Sequence, residues 1–257
     1  MYLENINGPS DIQKLNLDEL RILADETRDA LIHKISLAGG HNGPNLGMVE
    51  VTTALQHYVF HSPIDKFVFD VSHQSYPHKI LTGRKQAFLD EEHFHDVTGY
   101  TNPEESEHDF FTIGHTSTSI SLALGLAKGR DLNHGKENII AIIGDGSLSG
   151  GEALEALDYA GEYRNNLIII VNDNDQSIAE NHGGLYKNLK ELRESNGNCT
   201  NNIFKSFGLE YHYLEDGHDL FKLVDLFNSV KDIDHPVVLH IHTGTTSRKR
   251  THKIDKF

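Results

Sequence analysis

Two isoleucine-rich runs on either side of an amphipathic segment constrain the fold of this chain more than any other feature. Residues 139–143 read IIAII and residues 167–171 read LIIIV, and such continuous apolar runs are typical of strands buried on both faces of a parallel sheet. Between them, Ala153, Leu157 and Ala160 recur at helical spacing. A strand, a crossover helix and a parallel strand form a right-handed βαβ unit. The sequence therefore predicts an α/β fold, with a doubly wound, mostly parallel sheet and helices on both faces, as one domain over residues 1–257.

Polar residues follow both runs at the point where each predicted strand ends. Gly144-Asp145-Gly146 follows the first run, and Asn172-Asp173-Asn174 follows the second. Because the carboxyl ends of parallel strands meet at one edge of the sheet, we expect Asp145 and Asn174 to lie close together. Their oxygens suit Mg²⁺ or Ca²⁺, and the amides just after Asp145 suit an anion at a helix start. An isolated Gly-Asp-Gly is usually only a turn, so the predicted cation and diphosphate site depends on the pair.

Local patterns predict further elements. Leu20, Leu23 and Leu31 recur at helical spacing within residues 16–38, which predicts a long amphipathic helix that ends at a glycine pair. Ser149, with Glu152 three residues later, predicts the N-cap of the crossover helix. The glycine-rich segments 39–47 and 182–202 are predicted to be loops, the second one around a short helix.

Three histidines stand in loops beside glycines or hydroxyl side chains. His41 lies in GGHNGPNLG, His73 in DVSHQSYPHK and His115 in TIGHTSTS. A neutral imidazole can bond a phosphate or a sugar hydroxyl, and it can carry a proton. Any one of these histidines alone is more simply interpreted as a surface or capping residue. Together, beside a diphosphate site, they indicate a catalytic role.

Composition excludes several classes of partner. The 257 residues carry a formal net charge of −15, which argues against general binding of nucleic acid or of anionic membranes. A bound Mg²⁺ would supply the positive charge that a phosphorylated ligand needs. Cys199 is the only cysteine, and no run approaches the ~20 apolar residues of a membrane span. These observations predict a cytoplasmic protein without an intrachain disulfide.

Five motifs together resemble a known family. The chain is similar, from its N-terminus to about residue 243, to the N-terminal domain of the 1-deoxy-D-xylulose-5-phosphate synthases, thiamine-diphosphate enzymes of the transketolase superfamily. The motifs are GDGSLSGGEALEAL, NDNDQSIAENHGGL, GGHNGPNLG, DVSHQSYPHKILTGR and GHTSTSISLALG.

The resemblance implies two cofactors, thiamine diphosphate and Mg²⁺, and a role for each matching residue. Asp145, Asn174 and the backbone carbonyl of Gln176 would bind the metal. The residues that would bind the thiamine diphosphate are His73, Gly114, His115, Thr116, Gly146, Ser147 and Asn174. His41, His73 and His115 would be catalytic, with His41 facing the substrate and assisting proton transfer.

The resemblance further implies a reaction, partners and an assembly. Pyruvate would lose carbon dioxide and be joined to glyceraldehyde 3-phosphate, in an enzyme that forms a homodimer. The family's second domain, on the pyrimidine side of the cofactor, supplies a glutamate that promotes carbanion formation, and no segment here matches it. The Lys-Gly-x-Gly-Tyr segment that follows the family's last strand is also missing from residues 242–248, and the loop after Asn181 is shorter.

Three explanations remain open from the sequence. The chain is part of a full synthase, or it is one subunit of a split transketolase that transfers ketol groups between sugar phosphates. Alternatively, it is a non-catalytic module that binds the cofactor. The first two require a pyrimidine-side domain or a separate subunit as the partner.

Overall fold

Five strands form one sheet in the order β1-β2-β3-β5-β4 in the computed structural model, which describes residues 1–55, 59–175 and 181–243. The strands are β1 (Lys66–Phe69), β2 (Ile139–Gly144), β3 (Leu167–Asp173), β4 (Glu210–Leu214) and β5 (Pro236–His242). The pairings of β2 with β3, β3 with β5 and β4 with β5 are all parallel. The predicted α/β class with a parallel sheet is confirmed.

The two isoleucine-rich runs are neighbouring strands in register. Ile140 pairs with Ile168, and Gly144, the last residue of β2, pairs with Asn172 of β3. All five residues of each run are buried, as expected for central strands covered on both faces. The register places the ends of β2 and β3 side by side.

Helices connect the strands and fill most of the remaining chain. Their bounds are α1 (Pro9–Ile12), α2 (Leu17–Ala38), α3 (Asn42–Gly47), α4 (Val49–Ala54), α5 (Tyr76–Lys79), α6 (Gln86–Leu89), α7 (Ser119–Leu132), α8 (Asp145–Leu148), α9 (Gly151–Glu162), α10 (Gly184–Glu194), α11 (Ile203–Ser206) and α12 (Leu220–Val230). Short 3₁₀ turns occur at Leu3–Asn5 and Glu91–His93, and a π turn at Ile80–Arg84. None of the helices within the described residues is both long and apolar enough to cross a membrane.

The chain forms two compact units. The first, which we call the helical unit, comprises Met1–Lys66, Ser72–Gly114 and His218–Lys231. The second, the sheet unit, comprises Phe67–Val71, His115–Gly217 and the described part of Asp232–Phe257, and it contains β2 to β5.

The long helix α2 begins and ends as its sequence predicts. The Asn16 side chain accepts hydrogen bonds from the amides of Asp18 and Glu19, and the Glu19 carboxylate accepts one from the Asn16 amide, which completes a capping box. The helix ends at Gly39, whose φ of 76° is a left-handed conformation that glycine adopts without strain.

Two local predictions are wrong. Residues 39–47 are not a continuous loop, because α3 occupies Asn42–Gly47. Pro44 is compatible with this helix because it lies in the first turn, where backbone N–H groups have no intrahelical partner. Ser149 is not an N-cap, since the short helix α8 intervenes and α9 begins only at Gly151, with Gly150 as its N-cap.

A buried ion cluster connects three segments of the helical unit. Arg28 of α2 donates to both carboxylate oxygens of Glu50 of α4 at 2.5 and 2.7 Å, and Nδ1 of His218 lies 2.8 Å from Glu50 Oε2. Burial alone would raise the pKa of Glu50, but the hydrogen bond from His218 and the charge of Arg28 outweigh it and lower the pKa to about 2.

We predict that Glu50 contributes to the acid sensitivity of the fold. A carboxyl whose pKa is lower in the folded chain stabilises it above the unfolded pKa, and this stabilisation, about 3 kcal/mol here, is lost as the pH falls from about 4.5 to 2. Glu50→Gln should therefore lower the free energy of unfolding at pH 7 and flatten its pH dependence in that range, as measured by urea denaturation. The exposed Glu104→Gln is the control, and an unchanged acid slope in Glu50→Gln would contradict the assignment.

The turn between α8 and α9 leaves no room for a side chain at Gly150. A Cβ added there would overlap Ser117 Oγ and lie 2.6 Å from Ser117 Cβ, whereas one at Gly151 would meet nothing within 4 Å. Ser117 cannot easily move, because it is buried and its hydroxyl donates to the Ser147 carbonyl at 2.7 Å.

We therefore predict opposite effects for two adjacent alanine substitutions. Gly150→Ala should destabilise the chain by ~1–3 kcal/mol, as overpacking usually does. Gly151→Ala should be neutral or stabilising, by up to about 1 kcal/mol, because it restricts the unfolded chain. Urea denaturation of the two variants measures the difference, and equal stabilities would show that the close approach to Ser117 is wrong.

Candidate functional site

Two buried carboxylates lie at the adjoining ends of β2 and β3. Asp145 is the first residue after β2 and is 4% exposed, and Asp173 is the last residue of β3 and is fully buried. Because Gly144 pairs with Asn172, the next residues along each strand are neighbours. The structure thus brings the two polar motifs together at one edge of the sheet, as predicted.

The two carboxylates have opposite electrostatic environments. Burial, followed by the negative charge of Asp173, raises the pKa of Asp145 to about 8. Burial acts in the same direction on Asp173, but a hydrogen bond from His240 and the charge of Arg193 lower its pKa to about 2. The negative charge of Asp173 is therefore compensated within the chain, whereas ionisation of Asp145 is unfavourable unless a cation is supplied.

The side chains that bond Asp173 come from two other elements. Nε2 of His240, in β5, donates to Asp173 Oδ2 at 2.8 Å, and its Nδ1 accepts from the hydroxyl of Tyr211, in β4, at 2.8 Å. Arg193, in α10, donates to Asp173 and to Asp175 at 2.5 Å each. Sequence reasoning missed this network, although a histidine inside the apolar strand PVVLHIH was an available indication.

The donor set at this edge fits a divalent cation. The Asp145 carboxylate accepts a hydrogen bond from the neutral side-chain amide of Asn181 at 2.7 Å, and Asn174 follows directly after β3. Within the described residues there is no group of three or more histidine, cysteine, aspartate or glutamate side chains placed to hold a metal. A site here would depend on one carboxylate with amide and carbonyl oxygens, which suits Mg²⁺. Gln176, predicted to add a carbonyl, lies outside the described residues.

Gly146 and Ser147 lie in α8, directly after Asp145. As residues of the first helical turn, their N–H groups make no backbone hydrogen bond within the helix. The Gly146 N–H bonds the Asp145 carboxylate, and both N–H groups are suited to an anion. The turn is held from one side by Tyr186 of α10, whose hydroxyl donates to the Gly146 carbonyl at 3.2 Å. It is held from the other by Ser117, which bonds the Ser147 carbonyl.

The His115 loop is fixed to the end of β1. Asp70, which follows β1 and is 1% exposed, accepts from the amides of Ser117 and Ser119 at 2.8 and 2.9 Å. His115 and Thr116, directly before Ser117 in this loop, are exposed, and His115 Nδ1 donates to the Thr116 carbonyl at 2.7 Å. Sequence reasoning also missed Asp70, although an acidic residue directly after a buried strand was visible.

The other predicted residues belong to the helical unit. The rings of His41 and His73 are 5.2 Å apart, edge to face, and both side chains are half-buried. The His41 ring also contacts Tyr76 and Tyr100, with centroids 6.3 and 5.9 Å away. Gly114, the last residue of the Ser72–Gly114 segment of this unit, is exposed. The structure therefore pairs two of the three predicted histidines.

Comparison with curated proteins points to a single family. The profile of the 1-deoxy-D-xylulose-5-phosphate synthases matches residues 3–201 and 193–243. The synthase of Alkaliphilus oremlandii is 41% identical over 278 aligned positions, covering 94% of this chain and 44% of that protein. The synthase of Dictyoglomus thermophilum is 39% identical, covering 95% and 45%. The chain thus spans less than half the length of these relatives.

Solved structures show the same fold at lower identity. Transketolase from Campylobacter jejuni superposes with a TM-score of 0.69 at 20% identity, covering 89% of this chain and 38% of that one. A transketolase mutant from Pichia stipitis gives a TM-score of 0.63 at 19% identity, covering 87% and 36%. With the profile match extending over most of its length, the chain belongs to the 1-deoxy-D-xylulose-5-phosphate synthase family and corresponds to its N-terminal part.

Proposed function

We propose that residues 1–257 form the diphosphate-binding domain of a thiamine-diphosphate-dependent synthase. The observation that carries this proposal is Asp145, a buried carboxylate at the end of β2 whose ionisation calls for a cation. Family membership supports Mg²⁺ as that cation and thiamine diphosphate as the anion it binds. The net charge of −15 is a second support, since a diphosphate would approach this chain poorly without a metal.

Each residue in the proposal has a defined task. Asp145 and Asn174 hold Mg²⁺, and the N–H groups of Gly146 and Ser147 donate to the diphosphate. Asp173 does not bind the metal, because its Oδ2 already accepts from His240 and Arg193 and its Oδ1 accepts from the Asp175 amide. The Tyr186 and Ser117 hydroxyls hold the α8 turn in place, so that its N–H groups stay directed at the anion.

The remaining residues bind the rest of the cofactor and move protons. Gly114, His115 and Thr116 line the cofactor, with no side chain at Gly114 to obstruct it. When bound, thiamine diphosphate supplies a ring that stabilises the carbanion left by decarboxylation. His73 and His41 exchange protons with the substrate hydroxyl and carbonyl groups, a task suited to imidazoles near neutral pH.

The proposed reaction and partners are those that membership of the synthase family implies. The substrates proposed are pyruvate and the sugar phosphate glyceraldehyde 3-phosphate, which are joined with loss of carbon dioxide. The pyrimidine-side domain, which lies beyond the part of the relatives that this chain spans, completes the active site from the same or another chain. We propose a cytoplasmic homodimer that binds neither nucleic acid nor membrane.

We predict that Asp145→Ala removes metal-dependent cofactor binding. Thiamine diphosphate with Mg²⁺ at about 100 times Kd should stabilise the wild-type chain by ~2–3 kcal/mol, because a ligand that binds only the folded state shifts the folding equilibrium. Differential scanning calorimetry with and without Mg²⁺ measures this. The exposed Asp158→Ala, in α9, is the matched control and should keep the full effect. Retention of the effect in Asp145→Ala would show that another residue binds the metal.

A second prediction concerns turnover. Residues 1–257 alone, with pyruvate, glyceraldehyde 3-phosphate, thiamine diphosphate and Mg²⁺, should be at least ~10²–10⁴-fold slower than a complete synthase, because the proposal assigns the acid that promotes carbanion formation to the pyrimidine-side domain. Mixing it with a separately produced pyrimidine-side domain of a relative should restore activity. Rapid turnover by the chain alone would contradict the proposal. Activity on mixing that uses two sugar phosphates instead of pyruvate would favour a split transketolase, and cofactor binding without any activity would favour a binding module.

A further inference from the structure

One buried amide bonds the backbone of both histidine segments in the helical unit. Asn45, in α3, is fully buried. Its Nδ2 donates to the carbonyl of His41 at 2.6 Å and to the carbonyl of His73 at 2.8 Å, and its Oδ1 accepts from the amide of Tyr76 at 2.9 Å. Both N–H groups and the oxygen of the Asn45 side chain are therefore used, and one of its partners, the His73 carbonyl, is 28 residues away in sequence.

No other side chain can make the same three bonds from this position. A carboxylate has no hydrogen to donate and would face two carbonyl oxygens, while an alanine would leave all three backbone groups without this partner. Glutamine carries the same amide on a longer stem, which the buried site would have to accommodate. The bonding pattern thus requires asparagine itself.

The segment that carries His73 is also held on its other side. Ser72, directly before it, has a φ of 68°, a left-handed conformation that is costly for a residue with a side chain. Its hydroxyl donates to the Ile113 carbonyl at 2.8 Å and accepts from the Thr101 amide at 3.0 Å. The backbone at His73 is therefore bonded through Asn45 on one side and anchored through Ser72 on the other.

The Asn45 bonds also bear on the ring of His41. Tyr76, whose amide donates to Asn45, lies with its hydroxyl 3.4 Å from His41 Nδ1. Burial raises the pKa of the Tyr76 hydroxyl, and this hydroxyl and His41 Nδ1 are within hydrogen-bonding distance. The same amide thus sets the backbone of His41 and of the residue that bonds its ring.

We propose that Asn45 is a positioning residue that holds the His41 and His73 rings edge to face at their 5.2 Å separation. Its hydrogen bonds go to the two carbonyls and to the Tyr76 amide, so it acts on the rings through the backbone. The catalytic meaning of this arrangement rests on the proposed function, in which the two imidazoles act on the same substrate. The geometric statement concerns the chain alone and can be tested without cofactor.

The test compares Asn45→Asp with a variant that loses a buried hydrogen bond elsewhere in the same unit. Thr53→Val removes the bond from the Thr53 hydroxyl to the Val49 carbonyl, which is 2.7 Å long and buried in α4, and which involves none of the groups that Asn45 bonds. The wild-type chain and both variants are labelled with ¹³C and ¹⁵N at histidine, and the ring resonances are assigned with His41→Gln and His73→Gln. The readouts are the ring chemical shifts and the nuclear Overhauser cross-peak between the two rings, without metal or cofactor.

We expect the cross-peak in the wild type and in Thr53→Val, and its loss in Asn45→Asp with shifted His41 and His73 resonances. An unchanged cross-peak and unchanged shifts in folded Asn45→Asp would overturn the proposal. If Asn45→Asp does not fold, Asn45→Ala takes its place, and unfolding of both would overturn it as well, since the amide would then serve the whole unit. Calorimetric failure to bind thiamine diphosphate would count against the proposed function and leave this result standing.

Discussion

The parallel register of β2 on β3 is the constraint on which the candidate site depends. Pairing Gly144 with Asn172 ends both strands at one level, so the chain must place Asp145 and Asp173 side by side in a buried setting. Two adjacent buried carboxylates repel each other, and the structure compensates only one of them, through His240 and Arg193. Asp145 is left with a raised pKa and a neutral amide as its partner. Ionisation of the buried Asp145 carboxylate is therefore unfavourable in the folded chain alone, and a bound cation would make it favourable.

The difference between the bonding partners of Asp145 and Asp173 also distinguishes a carboxylate proposed to bind a cation from carboxylates that support the ends of strands. Asp173 has its Oδ2 bonded from β5 and α10 and its Oδ1 bonded by the Asp175 amide, so it supports the end of the strand. Asp70 does the same at the end of β1, where it holds the His115 loop by two amides. A carboxylate at a strand end is thus no guide to metal binding by itself, and its bonding partners decide between the two roles.

Much of the fold was predictable because its main features follow from local sequence. A local period or motif identifies the isoleucine-rich runs, the capping box of α2 and the polar residues after β2 and β3. Helix α3 was missed because glycines and a proline within six residues favour a turn, and only its burial against the rest of the unit stabilises it as a helix. The prediction of Ser149 as an N-cap was wrong because the short helix α8 lies directly before it in the chain. No helix propensity indicated α8.

The site residues that sequence reasoning missed share a different physical cause. Asp70, His240 and Asn45 act through bonds to residues between 28 and 67 positions away, and such a partner is fixed only when the fold is complete. Strand register determines where Asp145 lies, and it rests on many apolar contacts, so a single substitution changes it little. The arrangement of His41 and His73 depends instead on one amide with every hydrogen-bonding group in use. The proposed metal-binding edge is therefore encoded by a pattern that a sequence displays, and the histidine pair by a single residue whose importance only the three-dimensional structure reveals.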